Sequence, residues 1–75
     1  MPKVPRVTGQ QAIKAFERVG FVVDRIRGSH HVLCRPNDSV RLSIPCHPGK
    51  TVGVGLLSSQ IKAANMTVAE FTALL

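Results

Sequence analysis

The sequence predicts a small α+β fold: one helix, a three-stranded antiparallel sheet packed on helices, then a second helix and a short extra C-terminal helix. Three observations lead there. Apolar residues recur at helical spacing near both ends of the chain. Between those stretches lie three short runs rich in β-branched residues, separated by turn residues. The chain has 75 residues, enough for one modest core, so residues 1–75 are expected to form a single domain.

Residues 1–7 read as an extended lead, because Pro2 and Pro5 oppose helix. Thr8 is a good helix N-cap, and Gln11 three residues on completes a capping-box pattern. The stretch from Gly9 to Val19 then places Ala12, Ile13, Phe16 and Val19 on one face, and Gly20 supplies a left-handed stop. Phe21 to Arg27 reads as the first strand, Gly28-Ser29 as a tight turn, and His30 to Arg35 as the second strand, antiparallel to the first. Pro36-Asn37-Asp38-Ser39 is a strong turn cluster. Val40 to Cys46 is the third strand, with Val40, Leu42 and Ile44 on one side and Arg41 and Ser43 on the other.

Residues from His47 to Gly55 include Pro48, Gly49, Gly53 and Gly55, so a flexible loop is expected there. Leu56 to Ala64 is the second helix, with Leu57, Ile61 and Ala64 as its buried stripe and Asn65 as its stop. Thr67 and Glu70 form another capping box, which opens a last short helix through Phe71 and Leu74. The helix-strand-strand-strand-helix order is that of double-stranded-RNA-binding domains. That is an analogy of fold, and fold does not fix function.

Composition narrows the partners. Hydrophobic residues make up 44% and charged residues 19%, which argues for a packed domain. Ten Lys or Arg oppose four Asp or Glu, a net charge of +6, so an anionic partner is expected: nucleic acid, anionic membrane or an acidic protein. No apolar run suits a membrane span, and Met1 to Arg6 carries no hydrophobic signal core, so neither membrane insertion nor secretion is expected. Two cysteines, Cys34 and Cys46, suggest a reduced cytoplasmic setting and small hydrophobes in strands rather than a disulfide scaffold.

The chemistry concentrates at Gly28-Ser29-His30-His31. Histidine exchanges protons near neutral pH, and arginine is shaped to grip phosphate. From Arg25 to Lys50 five basic residues (Arg25, Arg27, Arg35, Arg41, Lys50) face one acid, Asp38, a local balance of +4. Arg25 and Arg27 are two apart on a strand and share a face that could track a phosphate backbone. His30 and His31 must point to opposite sides of a regular strand, so only one belongs to a given site. His30 shares parity with Val32 and Cys34, and His31 with Leu33 and Arg35, and neither set is cleanly apolar. The residues alone leave that choice open. His30, His31, Cys34, Cys46 and His47 could each ligate a metal, yet their spacing matches no zinc pattern, so no metal and no cofactor are expected.

RNA carries its own nucleophile, the 2′-hydroxyl beside each phosphate. A cleaving protein then needs a group to move protons and cations to stabilise charge on phosphorus. DNA lacks that hydroxyl, so RNA rather than DNA is the expected substrate.

The chain resembles the HicA-type toxins, small mRNA-cleaving members of HicAB type II toxin-antitoxin pairs. The resemblance runs through Ala15 to Phe21, Gly28-Ser29-His30-His31-Val32, Pro36-Asn37-Asp38 and Ile44-Pro45-Cys46-His47. It continues through Gly55-Leu56-Leu57, Ala64-Asn65-Met66 and Thr67-Val68-Ala69-Glu70-Phe71. It implies a double-stranded-RNA-binding-like fold and an endoribonuclease whose essential histidine follows Gly-Ser, which designates His30 as catalytic. It also implies a HicB-like antitoxin that blocks the site, mRNA as substrate, and a prokaryotic cytoplasm. Arg25, Arg27, Ser29, His31, Arg35, Arg41 and Lys50 are the expected RNA-binding residues. Ser58 stands where family members often carry arginine, and Asn65 where they usually carry glycine. The alternative expectation is a non-catalytic RNA-binding module of the same fold.

Overall fold

A computed structural model describes residues 3–36 and 38–75. Pro2 in the expected lead and Asn37 in the expected turn lie outside the described residues. The elements are α1 (Gly9–Glu17), β1 (Val22–Arg27), β2 (His30–Cys34), β3 (Arg41–Pro45), α2 (Val54–Ala63) and α3 (Val68–Thr72). The three strands form one antiparallel sheet in the order β1-β2-β3. This is the expected α+β order.

Both capping boxes form. The Thr8 hydroxyl accepts from the Gln11 N–H at 3.2 Å while the Gln11 side chain accepts from the Thr8 N–H at 2.9 Å. Thr67 and Glu70 repeat the exchange at 3.1 and 2.9 Å. Each satisfies two backbone donors that a helix start leaves without intrahelical partners. Gly20 and Asn65 follow α1 and α2 with positive φ, 99° and 60°, as their stop role requires.

The core explains which sheet face is covered. Leu33, Leu42 and Ile44 are fully buried, and α1 and α2 both pack over β3. The α1 stripe adds Ala12, Ile13 and Phe16, and α2 adds Leu57, Ile61 and Ala64. The chain's three phenylalanines meet here: the Phe16 ring lies 5.9 Å from Phe21, edge-on, and 5.0 Å from Phe71, tilted. Such pairs contribute roughly 0.5–1.5 kcal/mol beyond the area they bury. The helices leave β1 largely uncovered, so Ile26 is 59% exposed although it sits on the same face as Leu33.

The loop after β3 differs from expectation in two ways. Helix α2 begins at Val54, two residues early, and takes Gly55 into its first turn; Gly53 is its N-cap. The loop is also tied down rather than free. Thr51 bridges Thr8, and the Val52 N–H donates to the Val7 carbonyl at 2.7 Å, with both valines buried. The lead therefore acts as a short partner for the loop, and burial of Val7 and Val52 supplies the apolar gain that glycine content alone does not reveal.

Candidate nucleic-acid interface

Strand register resolves the two histidines. His31 pairs with Ile44 and Leu33 with Leu42, so His31 lies on the face that carries the core. Its Nδ1 is buried and finds no hydrogen-bond partner among the described residues. His30 takes the opposite, open face, where it is exposed between Arg27 on β1 and Pro45 on β3. Next along that face are Arg25, Val32 and Ser43, and beyond them Val22, Cys34 and Arg41.

The local sequence explains this placement. Asp24 has no partner in the β1-β2 register, which shifts between Val23 and Arg25, so the strand carries a bulge there. The extra residue keeps Arg25 and Arg27 in step with each other and with His30, while re-aiming Asp24. Asp24 then accepts from Arg41 at 3.0 Å and lies 3.5 Å from Arg25. Two of the five cations thus share a carboxylate that lies just outside the +4 stretch. Among the described residues Arg27 and Lys50 form no ion pair, which leaves Arg27 as the unneutralised cation nearest His30 on the sheet.

Arg35 stands apart. Its guanidinium lies 4.5 Å from the Phe21 ring centroid and donates to Asp38 at 2.7 and 3.2 Å. It caps the aromatic cluster at the far end of β2 from His30. The Arg35 hydrogen bond, followed by the Val40 N–H, holds the Asp38 carboxyl below the usual carboxylate range. Arg41 is on the His30 face but four residues of strand away, about 13 Å at the rise of a β-strand.

At the His30 end the turn is built for access. Gly28 has φ 56°, and Ser29 is not among the positive-φ residues, the pattern of a type II′ hairpin turn. A Cβ built on Gly28 would meet nothing within 4 Å. The Ser29 carbonyl accepts from the Cys46 N–H at 2.7 Å, which extends the β2-β3 pairing past the strand ends. That bond brings His47 to the turn: its Nε2 lies 3.4 Å from the Ser29 hydroxyl. His47 carries no local sequence signal for a place beside this turn. The signal for its true neighbourhood was the strand register, which puts Cys46 opposite Ser29.

His47 also borders a cleft of about 300 Å³, formed by Thr8, Gly9 and Gln10 at the α1 start and by Cys46, Pro48 and Gly49. Burial pushes the Cys46 thiol up, so it is protonated and a poor nucleophile at neutral pH. No three His, Cys, Asp or Glu converge as a metal cage among the described residues.

The sheet face left open by the helices carries Arg25, Arg27 and Arg41 with exposed His30 at one end, so the fold defines a small α+β protein with a cationic open face. The model of the family described as HicA toxin of bacterial toxin-antitoxin matches residues 9–66, most of the chain. The chain belongs to the HicA toxin family of bacterial toxin-antitoxin systems, and membership implies an antitoxin partner. No curated protein matches it. Among the described residues no helix is long and apolar enough to cross a membrane.

Proposed function

We propose that this chain is an endoribonuclease toxin that cleaves mRNA at His30 and is neutralised by a HicB-like antitoxin in a prokaryotic cytoplasm. The observation that carries this reading is the juxtaposition of exposed His30 with Arg27 and Arg25 on the open sheet face. RNA would run along that face, its phosphates met by Arg27 and Arg25, with Lys50 in the loop after β3 and with Ser29 and the open turn beside the scissile bond. Arg41 lies further along the same path. Arg35 and His31 serve the fold, one covering Phe21 and the other turned to the core side.

The chemistry uses the 2′-hydroxyl. It loses its proton, its oxygen attacks the adjacent phosphorus, and the bond to the 5′ oxygen breaks as that oxygen gains a proton. His30 serves one of these two proton transfers. Arginine donors aimed at the phosphoryl oxygens stabilise the charge that grows on them. This route depends on the 2′-hydroxyl, so the test is one oligonucleotide sequence offered as RNA and as DNA. Cleavage of RNA with DNA left intact is expected. Equal cutting of both refutes the mechanism, and salt-sensitive RNA binding without cleavage supports the binding-module alternative.

A further inference from the structure

We propose that His47 is the second proton-transfer group of this site, so that His30 and His47 serve the two ends of one cleavage step. The inference rests on the ribonuclease reading and deepens it. Transfer through the 2′-hydroxyl needs a base for the attacking oxygen and an acid for the departing 5′ oxygen. One histidine supplies one of these at a time. A pair supplies both, and the step balances: the proton taken from the 2′ oxygen resides on one imidazole and the proton given to the 5′ oxygen comes from the other.

The geometry selects His47 among the remaining groups. His31 lies on the core-bearing face with a buried Nδ1. The Cys46 thiol is held protonated by burial. His47 is exposed, and it flanks the same turn as His30 from the β3 side. His30 pairs directly with Pro45, and His47 is two residues further on, so their Cα atoms lie within roughly 12 Å. The Ser29 hydroxyl, 3.4 Å from Nε2, is the positioning residue for the ring. Hydrogen bonds of this kind are often long before substrate arrives and shorten in the complex.

The groups facing the ring come from three sides. From the turn the neighbours are Ser29 and His30, and across from His30 stands Arg27. Within its own loop are the Cys46 thiol and Lys50, whose backbone N–H donates to the His47 carbonyl at 3.0 Å. From α1 come Thr8, Gly9 and Gln10, all uncharged, and the cleft lining holds no carboxylate. Arg27 beside His30 suits an anionic phosphodiester at this end of the sheet.

The test measures kcat/KM against pH for the full chain on an RNA oligonucleotide, with wild type, His47→Gln, His47→Asn and His30→Gln. A second substrate carries 4-nitrophenolate in place of the 5′ oxygen, a leaving group that departs without an acid. Wild type is expected to give a bell-shaped profile. Each His47 variant should lose about 10²-fold or more on RNA and lose one limb of the bell. One of the two histidines should become dispensable on the nitrophenyl substrate, while loss of the other still abolishes turnover. Ser29→Ala should lower kcat several-fold and leave KM near wild type. A His47 variant with the wild-type profile, or a wild-type profile with a single limb, overturns this proposal while leaving the ribonuclease reading intact. Nitrophenyl turnover that falls equally in both histidine variants also overturns it. Failure of wild type to cleave RNA at all overturns both.

Discussion

Gly9 is a point of close approach between α1 and the strand that delivers His47, and replacing it with alanine has a predictable sign. An added Cβ would lie 2.6 Å from the Cys46 sulfur and 2.9 Å from the Cys46 Cα, and it would press still more closely on the Pro45 carbonyl oxygen. Two of those three atoms are backbone and cannot rotate away. Helix propensity alone favours alanine by about 0.5–1 kcal/mol. Overpacking a filled site costs roughly 1–3 kcal/mol. Backbone contacts that cannot yield put the cost in the upper part of its range, so the net expectation for Gly9→Ala is a loss of about 1–2.5 kcal/mol, a drop in Tm of about 4–20 °C for a domain of this size. Gly55→Ala is the matched control, because Gly55 is also in the first turn of a helix and its Cβ would meet nothing within 4 Å. Thermal unfolding by circular dichroism, with all three proteins at one concentration, reads the result. Gly55→Ala should raise Tm and Gly9→Ala should lower it. A Tm for Gly9→Ala equal to or above wild type would refute the close approach of α1 to the end of β3.

Three further outcomes follow from the same contacts. Arg27→Ala and Arg25→Ala should each flatten the dependence of log Kd on log salt by about 0.7 for single-stranded RNA, whereas Arg35→Ala should leave that slope unchanged and lower Tm. His31→Leu removes a buried nitrogen that has no partner among the described residues, so stability should change by less than about 1 kcal/mol in either direction, with cleavage retained. Asp38 has a lowered carboxyl pKa in the fold, so its contribution is present above the unfolded carboxylate value and fades as pH falls through the folded one. Tm of wild type and Asp38→Asn, followed from about pH 6 to about pH 2, should therefore converge at the acid end.

Local chemistry made most of the fold legible. The Thr8-Gln11 and Thr67-Glu70 boxes, the alternation of Leu42 and Ile44, and the Leu57-Ile61-Ala64 stripe each carry their own signal and each appears as read, whereas Val40 lies just before β3 and is half-buried. What stayed hidden depends on contacts between distant residues. The early start of α2 and the restraint of its loop come from pairing with the lead at Val7 and Thr8, more than forty positions away. The open face of β2 could not be chosen from parity, because both parities mix polar and apolar residues; register against Leu42 and Ile44 decides it. The bulge at Asp24 and the tie from Cys46 to Ser29 are likewise long-range, so the shared carboxylate of Arg25 and Arg41 and the nearness of His47 had no local trace. His30, by contrast, was designated by its resemblance to a family, and the fold adds that it is exposed on the arginine-bearing face.

That designation is tested most directly by RNA cleavage with purified wild type and His30→Ala at equal concentration, beside the thermal unfolding of each. His30 is an exposed strand residue, so the variant should unfold within about 0.5 kcal/mol of wild type. Its cleavage rate should fall by about 10²-fold or more. A folded His30→Ala protein that cleaves RNA at the wild-type rate would contradict the account.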